Sequence, residues 1–169
     1  MLPWLMSAPP GMRTFAEGSQ RVANMFTDTE WNSGSYYQGR SLFILILQDL
    51  FMADGYLNFP FGVLGENGPR KQGIPAWIRT HQDPAEDWFR CPNDIEDSPS
   101  GRRDHFLANA SFTPLGGFIV QNIVYEIAGE DSCGDRKSNE LGTTFGWRIS
   151  RGTIEKNNVG NWIQTNLGR

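Results

Sequence analysis

Apolar positions follow three different rhythms along the chain. The densest run is "SLFILILQDLFMADG", where only Gln48 and Asp49 interrupt the apolar surface. Ser41 supplies a side-chain oxygen to cap free N–H groups, and Gly55 sits where a helix-ending glycine belongs. This pattern predicts a buried central helix over 41–54, with a strand through Leu42–Leu47 as the alternative. Upstream, "TFAEGSQRVANMF" places Phe15, Val22, Met25 and Phe26 at helical spacing, and Thr14 with Glu17 has the form of a capping box. Residues 1–13 carry Pro3, Pro9, Pro10 and Gly11, which forbid a regular helix, together with the apolar Trp4, Leu5 and Met6. They read as an extended arm. "TDTEWNSGSYYQGR" reads as a polar loop.

From Tyr56 to Pro114 the rhythm is broken by prolines at 60, 69, 75, 84, 92 and 99, which leave no room for a long helix. The last third changes again. "FIVQNIVYEI" is rich in β-branched and aromatic residues, and "TTFGWRIS" alternates, with Phe145, Trp147 and Ile149 on one face. "EKNNVG" reads as a turn and "NWIQTNL" as a further strand. The expected architecture is α+β: an N-terminal arm (1–13), then a single domain (14–169). That domain would hold two helices, a proline-rich irregular middle and a C-terminal antiparallel β-meander.

Composition and charge narrow the classes of function. At 169 residues the chain is long enough for a core that needs neither metal nor disulfide. Its net charge of −4 removes any general electrostatic attraction to nucleic acid, whose binding rests on cationic contacts to phosphate. No apolar run approaches the ~20 residues of a membrane span. "MLPWLMSAPPGMR" lacks the basic and continuous apolar regions of a secretory signal, which predicts a soluble protein that is not exported. On that expectation Cys91 and Cys133 are two reduced, unrelated thiols, and the sequon at Asn109-Ala110-Ser111 carries no glycan.

Candidate chemistry concentrates in "AGEDSCGDRKSNELG". Ser132-Cys133-Gly134 resembles, over three residues, the nucleophile turn of caspase-like cysteine proteases. Such an enzyme would pair Cys133 with His81 or His105, but neither is followed by the glycine those proteases carry. Asp135-Arg136-Lys137 has the D-x-K form of a nuclease metal site, with Asp94 or Asp131 as partner carboxylate. The set His81, Cys91, His105 and Cys133 lacks the paired spacing of zinc ligands, and "GENGPRKQG" lacks the order of a phosphate loop. Asp83, Glu86, Asp87, Asp94, Glu96 and Asp97 could supply an acid/base pair for glycoside cleavage, but clustered on a proline-rich loop they read as a solvated stretch or a weak calcium site. No cofactor and no metal are expected.

The aromatic residues weigh more. Trp31, Tyr36, Tyr37, Trp77 and Trp88 fall on expected loops among polar neighbours, a mixture that lines protein interfaces or stacks on sugars. With Trp4, Leu5 and Met6 of the arm, they make the expected interface of a non-enzymatic assembly subunit. It would bind neighbouring protein subunits in a virion or phage-tail type particle, without nucleic-acid or membrane binding. The alternatives are a small hydrolase using Cys133 or a carboxylate pair, and a carbohydrate-binding module using the loop aromatics.

Overall fold

The computed structural model of the chain describes residues 4, 8, 11–33, 39–51, 89, 91, 102–112 and 133–168. Of these, 82% are helical and none lies in a strand. Among the described residues, helices therefore stand where the expected α+β fold places its C-terminal meander. "TTFGWRIS" is the end of an 18-residue helix, and "NWIQTNL" belongs to another. "FIVQNIVYEI" lies outside the described residues.

Helix α1 (Met12–Asn24) buries Met12, Phe15, Ser19 and Val22, which recur every three or four residues along one face. It begins at Met12, inside the expected arm, so Thr14 and Glu17 sit within the helix. Glu17 pairs with Arg13 at 2.8 Å instead of capping. The working capping box is Thr27–Glu30, in the stretch read as a loop, and it starts the short α2 (Asp28–Trp31). Glu30 N donates to Thr27 Oγ1 at 3.2 Å, and the Thr27 N–H donates back to Glu30 Oε2 at 2.7 Å. The Thr27 N–H first, then its hydroxyl, holds the Glu30 carboxyl below its ordinary range. This contribution is complete above the ordinary carboxylate pKa and fades as pH falls through the lowered one.

The expected central helix is present as α3 (Gly39–Phe51), with Phe43, Ile44 and Leu47 fully buried. Gln48, one of the two interruptions in the apolar run, is buried too, and its Nε2 donates to Leu107 O at 3.1 Å. Its acceptor lies on α4 (Arg102–Phe112), a helix that the reading of the middle region did not include. α4 fits in the proline-free window between Pro99 and Pro114, and it buries Phe106, Leu107 and Ala110.

Helix α5 (Cys133–Ser150) packs closest to α4. Gly134, Ser138, Gly142 and Gly146 recur every four residues and are all buried. At Gly142 the approach is so close that a Cβ would stand 2.2 Å from the Phe106 carbonyl oxygen. After a 3-10 turn (Lys156–Asn158), α6 (Val159–Leu167) buries Val159, Ile163 and Leu167 against the core and packs along α1. Phe145 joins the layers: its ring lies 5.2 Å from Phe106 and 5.1 Å from Trp162.

The two cysteines, expected to be reduced, form a disulfide with their Cα atoms 6.0 Å apart. It fastens the 89–91 segment to the first residue of α5. That segment is also held at Phe89, whose N–H donates to Leu167 O at 2.9 Å and whose carbonyl accepts from buried Arg102.

The end of α5 is closed by a cap at Gly152. Thr153 N donates to Arg148 O and Gly152 N to Ile149 O, both at 2.9 Å, which is the paired bonding of a Schellman cap. Gly152 has φ +71°, and a Cβ there would stand 2.3 Å from Nη1 of Arg40. Arg40 in turn donates to Trp31 O at 3.1 Å. Gly152→Ala should therefore cost about 1–2 kcal/mol, read as a lower urea midpoint at unchanged m-value. An unchanged midpoint would show that residue 152 does not adopt the left-handed conformation.

Candidate functional site

The turn from α5 into α6 encloses an open groove of about 370 Å³. Ile154 and Trp162 are its apolar surfaces; Arg148, Thr153 and Glu155 come from the α5 end and the turn; Asn158, Asn161, Thr165 and Asn166 come from α6 and the residue before it. In a helix, positions 158, 161, 162, 165 and 166 follow the i, i+3, i+4, i+7 and i+8 spacing of one face. The stripe of Val159, Ile163 and Leu167 runs beside them and anchors the same helix in the core. One short helix thus carries both its anchor and its groove wall.

The groove is lined mainly by polar side chains. Trp162 is half-buried, with its ring packed against Phe145 at a 41° tilt, a contact that restrains the indole. Among the described residues, its Nε1–H, the Arg148 guanidinium, the Asn161 amide and the Thr165 hydroxyl have no protein hydrogen-bond partner. Two other groups are partly occupied: Asn158 Nδ2 reaches Glu155 Oε2 at 3.4 Å, and Asn166 Nδ2 donates to Trp162 O at 2.7 Å. The lining carries one cation and one anion, so the groove as a whole is neutral.

A second polar cluster joins α4 to α5. His105 Nδ1 lies 3.1 Å from Asn139 Oδ1, and its Nε2 lies 3.7 Å from Asp135 Oδ1. Asn109 Nδ2 donates to the same Asn139 oxygen at 2.6 Å and to His105 O at 2.8 Å. Both ring nitrogens of His105 face partners, so the cluster works as a clasp between the two helices. It engages the Asn109 amide nitrogen in two hydrogen bonds. Lys137, the third residue of the D-x-K pattern, places its Nζ 4.2 Å from the Phe89 ring centre. With Cys133 bonded to Cys91, its sulfur offers neither a nucleophilic thiolate nor a metal ligand. No group of three metal-ligating side chains occurs among the described residues.

Of the residues expected at an interface, Trp4 and Trp31 are described. Trp31 is buried in the chain's own core, its ring 5.1 Å from Phe43. Trp4 is half-buried against that core, with the Arg21 guanidinium 4.3 Å from its ring centre. Leu5, Met6, Tyr36, Tyr37, Trp77 and Trp88 lie outside the described residues. Reading "NWIQTNL" as a strand concealed the groove, because alternation separates Asn161 and Thr165 from Trp162. The signal that finds it is the helical spacing from Asn158 to Asn166.

Comparison with known proteins finds no matching family model, no matching curated protein and no matching solved structure. No helix among the described residues is long and apolar enough to cross a membrane.

Proposed function

We propose that the chain is a non-enzymatic binding protein that holds a small polar ligand in the groove between Arg148 and Trp162. The observation that carries this reading is that three polar side chains without a partner among the described residues, Arg148, Asn161 and Thr165, line one groove with the Trp162 indole. Ligand sites combine apolar surface with a few placed polar groups, and the groove volume lies near the low end of their usual range of roughly 300–1,000 Å³. The disulfide supports a working place in an oxidising compartment, where such bonds persist.

The test is a thermal-shift and calorimetry screen of polar small molecules against the full chain. A hit should bind about tenfold more weakly to Asn161→Ala or Thr165→Ala. Both positions are exposed, so the variants should melt like the parent. A hit that binds both variants with parental affinity would place the site elsewhere.

A second reading, an assembly subunit of a larger particle, is favoured by two large apolar side chains at the surface, Met25 at 67% and Trp147 at 46% exposure. It expects a concentration-dependent oligomer by light scattering, dissolved by Trp147→Ser. A monomer at every concentration, with no co-purifying partner, contradicts it.

A further inference from the structure

We propose that the ligand of the groove is an uncharged pyranose, as a free glycoside or the end unit of a longer glycan. This rests on the reading of the groove as a binding site and assigns its substrate class. The argument begins with charge. Arg148 and Glu155 contribute one charge of each sign, so a ligand with net charge would gain one contact and meet repulsion at the other. A neutral ligand can use both, donating to the carboxylate and accepting from the guanidinium.

The remaining groups fit hydroxyls. The Asn161 amide both donates and accepts, the Thr165 hydroxyl does the same, and the Trp162 Nε1–H donates. None of the three has a protein partner among the described residues. Sugar hydroxyls both donate and accept, so one uncharged ligand can match this mixture of donors, acceptors and two-way groups. The indole completes the match, because a pyranose has one face of C–H groups that lies flat on an aromatic ring. Packing against Phe145 holds that ring in place, which limits the ordering cost of binding. The breadth of the polar lining, against only Ile154 and Trp162 as apolar surface, counts against a hydrophobic ligand.

The test is protein-observed NMR of the full oxidised chain, following the Trp162 indole N–H resonance, identified by its loss in Trp162→Phe. The probes are methyl glycosides of glucose, galactose, mannose and N-acetylglucosamine, with glucuronate and glucosamine as acidic and cationic counterparts. Mixtures of free amino acids and of nucleotides serve as non-sugar probes. At least one neutral glycoside should move the Trp162 signal together with the amides of residues 148–166. Its affinity should hold within about twofold up to about 1 M salt, where charge interactions are screened beyond about 3 Å. It should fall about tenfold in Asn161→Ala.

Glucuronate or glucosamine binding tenfold more tightly than every neutral glycoside would overturn the charge argument while leaving the groove a binding site. Movement by amino acids or nucleotides and by no sugar would do the same. If none of the probes moves the Trp162 signal, this proposal falls. A calorimetric hit from the wider screen that depends on Asn161 would then preserve the groove reading alone.

Discussion

The variant Cys91→Ser with Cys133→Ser is expected to be less stable than the parent by about 4 kcal/mol. The two cysteines stand 42 positions apart, and the chain-entropy account of a cross-link scales with the logarithm of the loop it closes. A domain of this size has a total stability of about 5–15 kcal/mol, so the loss takes a large share of it. The bridge also anchors a junction. Phe89 lies between the Arg102 guanidinium, 5.1 Å from its ring centre, and the Lys137 ammonium at 4.2 Å, while its N–H holds the end of α6. Releasing Cys91 weakens the link among α4, α5 and α6 together. Guanidinium denaturation of the oxidised parent and the double variant should show a clearly lower midpoint for the variant. Equal midpoints would mean that the two cysteines are not bonded in the folded protein.

Gly142→Ala should cost about 3 kcal/mol, against the gain of about 1 kcal/mol that the same change brings in an exposed helix. The sign is decided by what the new methyl meets. At Gly142 it would stand 2.2 Å from the Phe106 oxygen, 2.9 Å from the carbonyl carbon and 3.0 Å from the Cα. All three are backbone atoms of a packed helix, so α4 and α5 would have to move apart as bodies. The separation would strain the buried contact of Phe106 with Phe145 and the Asn139 clasp. Thr144→Ala, on the exposed side of the same helix, provides the control and should be within about 0.5 kcal/mol of the parent. A Gly142→Ala protein that melts above the parent would show that α4 and α5 do not meet there.

Helices α1 and α3 were legible in the sequence because their apolar positions favour the helical period. In α1, Phe15 and Val22 stand seven residues apart with polar residues between, and in α3 the run is too long for most strands. Residues 143–150 and 161–167 were misread as strands for a definable reason. Phe145 and Ile149 are four residues apart, a spacing that satisfies a strand of period two and a helix of period 3.6 alike. Trp147 decides between them, and it is exposed, whereas a strand would have put it beside its two buried neighbours. Glycines at 142 and 146 and threonines at 143 and 144 strengthened the error, since their intrinsic preference is against helix. Close packing on α4 outweighs that preference, and no local pattern announces it. The disulfide was missed for a different reason: the lack of a secretory signal pointed to a reducing compartment, and no spacing in the sequence shows that Cys91 meets Cys133.

The groove depends on the same correction. Asn158, Asn161, Trp162 and Thr165 share a wall only if residues 159–167 are helical, and Arg148 reaches the rim only if α5 runs to Ser150 before turning at Gly152. Backbone ¹³Cα chemical shifts over residues 133–167 test this most directly. The account predicts two continuous runs of helical, positive secondary shifts, over 133–150 and 159–167, separated by a break at Gly152. Strand-like negative shifts over 143–150 and 161–167 would contradict it and remove the groove with the helices that build it.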